Sequence, residues 1–249
     1  METTENQIAV QHPAGVAALE AIDVRKSLPL GRERIDILNG VNLRINHGEF
    51  VAIVGPSGSG KSTLLGIIAG LDSPTSGRVL LDGIDITRMG ESQLASVRNN
   101  KIGIVYQAFN LIPTLTALEN VEIPLYVGKH PGKPSDRAQE LLRMVGLAHR
   151  LRNRPTQLSG GEQQRVAVAR ALATQPAIVI MDEPTGNLDQ KNSENVLQMI
   201  RDLRTATGTT FIIATHDPNV AAAADRSIRI IDGLVAPDES RPGEPQSLA

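Results

Sequence analysis

The sequence predicts an α/β fold with a parallel core sheet, an antiparallel β layer and an inserted helical lobe. Two Asp-Gly pairs, at 82–83 and 232–233, each join short strand-like segments, as hairpin turns do. Five prolines punctuate the stretch from about 111 to 157, which favours short helical pieces there. Three short segments are apolar at every position, as parallel strands buried on both faces are; they are residues 50–54, 177–181 and 211–214.

Chain length and composition indicate one globular unit. The 249 residues are 41% hydrophobic and include no cysteine, which excludes a disulfide scaffold and thiolate metal sites. The 25 basic and 27 acidic residues nearly balance, and only 2% are aromatic, so nucleic acid is not an expected partner. No apolar run approaches the roughly 20 residues of a membrane span, and the polar N-terminus lacks signal-peptide features. We therefore expect a cytoplasmic protein with loose tails at 1–17 and 237–249, and one domain at 18–236 whose helical lobe covers about 111–160.

The remaining elements follow in chain order. Val41, Leu43 and Ile45 alternate with polar residues, which predicts a half-buried strand. Residues 78–81 predict a strand of the antiparallel layer, and 228–231 with 234–235 predict a closing hairpin. Within the helical lobe, residues 136–145 predict a helix that stops at Gly146.

A glycine-rich segment with the pattern Gly-x4-Gly-Lys-Ser lies between the buried strand at 50–54 and an apolar helix at 63–69. Glycines let backbone N–H groups surround phosphates, and a helix N-terminus adds partial positive charge. We expect Lys61 to neutralise the β- and γ-phosphates and the Ser62 hydroxyl to bind Mg²⁺. A turn that binds nothing is the alternative, which the flanking strand and helix disfavour. The candidate phosphate-binding residues are Gly55, Pro56, Ser57, Gly58, Ser59, Gly60, Lys61, Ser62 and Thr63.

Two acidic residues follow the buried strand at 177–181. Ligands of open α/β sheets lie at the carboxyl ends of the strands. Asp182 is placed there to hold Mg²⁺, directly or through water, and Glu183, on the opposite side of the backbone, to act as general base toward the attacking water. Two solvated acids at an ordinary strand end are the alternative interpretation.

The segment 158–165 has the sequence Leu-Ser-Gly-Gly-Glu-Gln-Gln-Arg. Ser159 and Glu162 match a capping box that opens an amphipathic helix. Gly160 and Gly161 predict an uncovered helix N-terminus, which is a second anion site. A well-capped helix without a ligand is the alternative, and local physics does not tell whose nucleotide such a site serves.

This segment resembles the signature motif of ATP-binding-cassette (ABC) ATPases, and the order of motifs from about 18 to 235 is similar to that family. The resemblance implies a P-loop NTPase fold of the ABC ATPase type, with ATP and Mg²⁺ as cofactors and two copies enclosing two ATP molecules. It implies that Gln107 is the Q-loop glutamine, which senses Mg²⁺, and that His216 contacts the γ-phosphate. Glu183, His216, Gln107 and Lys61 are then catalytic, and Ser62, Gln107 and Asp182 hold the metal. The residues that act in trans are Ser159, Gly160, Gly161, Gln163 and the D-loop Asp189.

Residues 111–115 and 118–124 resemble the branch of lipoprotein-release and macrolide-export ATPases, and within it the YbbA-like group. The resemblance implies an integral membrane permease as partner, beside a second copy of the chain. It implies location on the cytoplasmic face of the inner membrane and work on lipophilic molecules, or mechanical transmission across the membrane. Two rivals are a subunit that gates a periplasmic hydrolase, as in the related cell-division complex, and a non-transport ABC ATPase acting on DNA or ribosomes.

The chain departs from the family where adenine usually stacks on an aromatic ring. Leu28 occupies that place, and no Tyr, Phe or Trp precedes Phe50. Ile35 is a second aliphatic candidate for contact with the base. An aliphatic contact lacks the ring-on-ring contribution of about 0.5–1.5 kcal/mol. We therefore expect modest adenine affinity and a weak preference for ATP over GTP.

Overall fold

The computed structural model of the chain describes residues 15–31, 33–128 and 130–236. Within these ranges it forms two sheets and seven α-helices. The strands are β1 (Leu19–Leu30), β2 (Glu33–Ile45), β3 (Phe50–Val54), β4 (Ser76–Leu81), β5 (Ile84–Asp85), β6 (Ile102–Val105), β7 (Ile178–Asp182), β8 (Thr210–Thr215), β9 (Arg226–Ile231) and β10 (Leu234–Val235). The helices are α1 (Lys61–Ile68), α2 (Glu91–Lys101), α3 (Ala117–Tyr126), α4 (Pro134–Met144), α5 (Gly160–Ala171), α6 (Gln190–Thr207) and α7 (Pro218–Ala223), with a 3₁₀ turn at Pro155–Gln157.

The core sheet has the strand order β10-β9-β3-β8-β7-β6, and all its neighbours are parallel except β10, which pairs antiparallel with β9. The three fully apolar segments are its central strands β3, β8 and β7, as predicted. Their side chains alternate between two hydrophobic clusters, so that Phe50 joins one and Val51 the other. Both faces of the sheet are therefore covered, which explains the absence of polar alternation.

The register of the core sheet assembles the site. Val54 pairs with Thr215, and Asp182 pairs with Ala214. Because the three strands run parallel, their carboxyl ends share one edge of the sheet. The phosphate-loop segment, Glu183 and His216 directly follow these strand ends, so residues far apart in sequence leave the sheet side by side.

The second sheet has the order β2-β1-β4-β5 and is antiparallel. The predicted turns at 82–83 and 232–233 are confirmed. Asp82 and Gly83 have φ of 50° and 76°, and Asp232 and Gly233 have 48° and 74°. Positive φ at both central residues is the geometry of the two-residue hairpin turn that Asp-Gly favours.

Some helix positions differ from those expected. Helix α4 begins at Pro134 rather than 136, because proline fits the first turn, where its missing N–H is not needed. Pro124 lies inside α3 near its end instead of between helices. Helix α2 has no buried residue, so no apolar stripe marks it in the sequence.

The N-terminal end of the described chain packs closely on the domain. Residues 15–17, assigned above to the N-terminal tail, lie against the antiparallel sheet, where Ala17 is buried and Arg44 donates to the Gly15 carbonyl (3.0 Å). The rest of that tail, 1–14, and the tail at 237–249 lie outside the described residues. Across the described ranges, no helix combines the length and the apolar character that a membrane span requires.

Candidate nucleotide site

The glycine-rich loop connects β3 directly to α1. Gly60 is the N-cap of α1, with φ of 99°, and no side chain caps this helix. A Cβ at Gly60 would lie 2.9 Å from the Ile37 carbonyl oxygen of β2, and one at Gly55 would lie 2.1 Å from the Ile230 carbonyl oxygen of β9. Only glycine fits at these two positions. The N–H groups of the first turn of α1 thus have no capping side chain and remain for an anion.

Lys61 lies over this loop. Its Nζ donates to the carbonyl oxygens of Gly55 (2.8 Å) and Pro56 (2.9 Å). Both acceptors are neutral, whereas hydrogen bonds to phosphate oxygens are charge-assisted and stronger. The ammonium group is therefore held in place and can exchange its acceptors for a phosphate.

Asp182 ends β7 beside the first turn of α1, and its carboxylate accepts a hydrogen bond from the Ser62 side chain. Burial raises the pKa of Asp182 above its ordinary value, the bond from Ser62 opposes this, and the neighbouring charge of Glu183 raises the pKa further. One carboxylate and one hydroxyl match what Mg²⁺ uses beside substrate phosphates and water. The residues present therefore fit the expected metal.

Glu183 and His216 are in contact across β7 and β8. The His216 Nδ1 lies 2.7 Å from Oε1 of Glu183. Glu183 has φ of 46°, an uncommon conformation for a side chain other than glycine, and its N–H donates to the Ala214 carbonyl. A cavity of about 410 Å³ has His216 on one side and Gly55 and Pro56 on the other. The histidine and the phosphate loop thus border the same space, and the candidate base Glu183 is joined to it through its contact with His216.

Gln107 follows β6 and reaches the same edge. A Cβ at Gly186 would lie 2.9 Å from its Nε2 and 3.4 Å from Oε2 of Glu183, and Asn187 donates to the Gln107 carbonyl (2.9 Å). The segments at 107 and 186–189 are therefore brought together beside Glu183.

The start of α5 forms the predicted capping box. The Ser159 hydroxyl accepts from the Glu162 N–H (3.2 Å), and the Glu162 carboxylate accepts from the Ser159 N–H (2.8 Å) and from Arg150 Nε (3.0 Å). The bond from the Ser159 N–H, followed by the contact with Arg150, lowers the pKa of Glu162. The N-terminus of α5 therefore has fewer available donors than the sequence predicted, because the capping box leaves only the N–H groups of Gly160 and Gly161 for a ligand. Gln163 donates to the Leu158 carbonyl within the same turn.

This helix start lies beside the N-terminus of α6 and not beside the phosphate loop. Asp189 caps α6 by accepting from the Asn192 N–H (2.8 Å), and Asn192 Oδ1 lies 3.0 Å from where a Cβ on Gly161 would be. Within the described ranges, no hydrogen bond joins residues 55–63 to 158–163. The two glycine-bearing helix starts, those of α1 and α5, are therefore separate within one chain.

The two candidate base contacts are neighbours. Leu28 and Ile35 are cross-strand partners in β1 and β2, and their exposed fractions are 46% and 47%. Further along β2, Ile37 and Leu38 contact the loop at Gly60. The aliphatic pair therefore faces solvent a short distance from the phosphate loop.

Sequence reasoning missed the side chains that hold these loops. Arg170 of α5 donates to the carbonyls of Phe109 and Asn110, and buried Asn120 of α3 bonds both the N–H and the carbonyl of Ile112. The available signal for Arg170 was a single charge within the otherwise apolar run 166–173.

In this parallel sheet, the loop after β3 ends in a glycine that caps α1, and a strand-end carboxylate bonds the serine that follows the loop. These features define a P-loop nucleotide-binding protein. The profile described as "ABC transporter" matches residues 38–186. The chain belongs to this family, is an ATPase and an ATP-binding subunit of an ABC transporter, and is similar to its LolD and MacB members.

Two relatives and one solved structure illustrate the similarity. The lipoprotein-releasing system ATP-binding protein LolD of Geobacter metallireducens is 48% identical over 88% of this chain and 98% of its own length. The macrolide export ATP-binding/permease protein MacB of Syntrophobacter fumaroxidans is 47% identical over 91% of this chain but 32% of its own length. The dimeric post-hydrolysis structure of the ATP-binding cassette MJ0796 of Methanocaldococcus jannaschii, bound to ADP and Pi, is 48% identical, with a TM-score of 0.79 over 87% of this chain and 96% of that one.

Proposed function

We propose that this chain powers a membrane permease that exports or extracts lipophilic molecules, or transmits mechanical work across the membrane, from its cytoplasmic face. The similarity to LolD and MacB supports the membrane-directed part of this proposal. The observation that carries its ATP-driven cycle is the separation of the two helix starts. The phosphate loop and the Ser159 motif each direct helix N–H groups at an anion, yet they do not share a site within one chain. Two copies facing each other would join each phosphate loop to the partner copy's Ser159 motif, and the solved relative MJ0796 is dimeric.

The residues of the site have distinct roles in the proposed cycle. Lys61 leaves its loop carbonyls for the β- and γ-phosphates. Ser62, Asp182 and Gln107 are the residues that would hold Mg²⁺, which when bound neutralises phosphate charge. The start of α5 from the partner copy then completes the cover of the γ-phosphate.

Hydrolysis follows from the Glu183–His216 pair. Glu183 accepts a proton from water as the water oxygen bonds the γ-phosphorus, and the bond from that phosphorus to the β,γ-bridging oxygen breaks, which yields ADP and phosphate. His216 holds the Glu183 carboxylate at 2.7 Å and borders the loop cavity, so it fixes the direction of the base. Loss of the γ-phosphate removes the shared ligand and reopens the dimer.

The permease surface is proposed to lie around Gln107 and the helical lobe. Hydrophobic side chains are exposed after β6 and at the end of α3, and exposed apolar surface of this kind supports a partner interface. They are Tyr106, Ile112, Tyr126 and Val127, with exposed fractions of 36%, 40%, 68% and 57%.

The test is capture of the permease from solubilised membranes of the native host with tagged chain. We expect a multispan membrane protein with a large periplasmic domain to co-purify, and Tyr126→Glu to abolish its capture while Leu71→Glu, at an exposed leucine after α1, leaves it intact. Recovery of ribosomal proteins or DNA instead would refute the proposal. A captured complex that activates a periplasmic hydrolase without moving any lipophilic substrate would favour the regulatory alternative.

A further inference from the structure

The loop that carries Gln107 contains an unusual turn. Phe109 and Asn110 are consecutive and have φ of 61° and 47°. Two adjacent side-chain-bearing residues in the left-handed region hold that conformation only when their surroundings fix it. The loop's own bonds are short-range, from the Phe109 N–H to the Tyr106 carbonyl and from the Asn110 N–H to the Ala108 carbonyl. Something outside the loop must therefore stabilise the turn.

Arg170 supplies that support. Its NH1 donates to the Asn110 carbonyl at 2.6 Å and its NH2 to the Phe109 carbonyl at 2.8 Å. The rigid planar fork of a guanidinium can bond two neighbouring carbonyls at once, whereas the single ammonium of lysine is a point donor. The two left-handed residues are the same two whose carbonyls are bonded.

The environment of Arg170 argues against a general stabilising role. Burial lowers the pKa of its guanidinium. None of the ion pairs formed by the described residues includes Arg170. A desolvated cation that bonds only neutral carbonyls is a costly way to stabilise a helix end, so positioning of the loop is the better explanation.

Arg170 also lies on the helix that begins at the Ser159 motif. It occupies the last turn of α5, and the backbone there packs directly on β6, since a Cβ at Gly103 would lie 2.3 Å from the Ala171 carbonyl oxygen. Strand β6 leads into the Gln107 loop. The end of α5, β6 and the loop are thus joined by both backbone packing and the guanidinium fork.

We propose that Arg170 is a positioning residue that fixes the Gln107 loop and ties it to the helix bearing the Ser159 motif. The inference rests on the proposed function in one respect, the role of Gln107 at the metal. Displacement of Gln107 at one end of α5 is then accompanied by displacement of the Ser159 motif at the other. The guanidinium fork acts through Gln107, by holding the backbone of its loop.

The test compares Arg170→Met and Arg170→Lys with a matched control in the full-length protein. Arg201 of α6 also donates twice to a backbone carbonyl, that of Ala223, and makes no hydrogen bond to the Gln107 loop among those of the described residues. We expect Arg170→Met to lower kcat about tenfold and to raise the Mg²⁺ concentration for half-maximal turnover, with nucleotide Kd within about twofold. Arg170→Lys should recover part of kcat, and Arg201→Met should match the wild type. Equal losses in all three variants would overturn the proposal.

A double-mutant cycle with Gln107→Ala separates positioning from simple destabilisation. If Arg170 acts through Gln107, the kcat of the double variant will lie within about twofold of that of the slower single variant. If the fold-losses in kcat of the two single variants multiply in the double variant, the positioning role of Arg170 is overturned, whereas the proposed function is unaffected. If Gln107→Ala alone has wild-type turnover, the assigned role of Gln107 fails instead. In that case, hydrogen exchange at residues 106–112 tests whether Arg170 positions the loop. Unchanged exchange in Arg170→Lys and Arg170→Met would overturn the positioning role.

Discussion

The N-termini of α1 and α5 are both glycine-bearing helix starts, yet they are completed differently. Helix α1 has Gly60 as N-cap, no side-chain cap and no acidic residue in its first turn. Helix α5 is closed by the Ser159–Glu162 box and carries a carboxylate bonded to Arg150. The first start leaves its donors to a ligand, whereas the second satisfies half of them itself. This difference shows that the α1 start leaves more backbone donors for a ligand than the α5 start does. We therefore expect the phosphate loop to bind a nucleotide within one chain and the α5 start to complement a site already occupied.

The largest effect is expected from a substitution at Glu183, which lies outside both helix starts. Glu183→Gln should lower kcat by about 10²-fold or more, because a general base contributes about 10²–10⁴ to the rate. Nucleotide binding should remain, and the protein should accumulate as a closed dimer in size-exclusion chromatography with ATP. Glu194→Gln, at another glutamate of the groove beside Glu183, is the matched control. Normal turnover by Glu183→Gln would remove this residue from its role.

The second prediction contrasts the cations near the two helix starts. Lys61→Ala should weaken nucleotide binding by the monomer about 10- to 100-fold, because a hydrogen bond to a charged group is worth about 1.5–3 kcal/mol. Arg150→Ala, near the α5 start, should change monomer binding less than about twofold. Fluorescent-nucleotide titration below the dimerisation concentration measures both. Similar losses in the two variants would show that α5 contributes to binding within one chain.

A smaller effect is expected at Leu28, the residue proposed to contact the adenine ring. Leu28→Tyr should tighten ATP binding about 2- to 10-fold, because an aromatic stack adds about 0.5–1.5 kcal/mol. Leu30→Tyr, two residues further along β1 and also exposed, should have no such effect. In the wild type, ATP and GTP affinities should differ by less than about tenfold, since aliphatic contacts form no hydrogen bond that reads the base. Strong selectivity for ATP in competition titrations would contradict this expectation.

The smallest effect concerns the pH dependence of the α5 start. Glu162→Gln should lower the free energy of unfolding by about 0.5–1 kcal/mol at pH 7, since a carboxylate favours a helix N-terminus. The pKa of Glu162 is lower in the folded than in the unfolded chain, so its stabilising charge is fully present above about pH 4.3 and is lost as the pH falls through the folded value. Urea unfolding at pH 7 and pH 3.5 should therefore show a difference between wild type and variant that shrinks in acid. A difference independent of pH would mean that the charge of Glu162 is not responsible.

Much of the site is readable from sequence because it is contiguous. The loop at Gly55 to Thr63, the Asp182–Glu183 pair and the Ser159 box each depend on local backbone geometry and on residues at most a few positions apart. The apolar segments that became β3, β7 and β8 were equally plain, since strands covered on both faces lack polar positions. Helix α2 was not, because none of its residues is fully buried and its periodic signal is correspondingly weak.

The sequence by itself determined the class of nucleotide site and the strands that present it. Only the tertiary structure decided which distant residues meet: His216 with Glu183, 33 positions apart, and Arg170 with Asn110, 60 positions apart. It also decided that the two helix starts of one chain do not share a site. The physical reason is that sheet register and helix packing set these contacts, and neither is encoded in the spacing of residues along the chain.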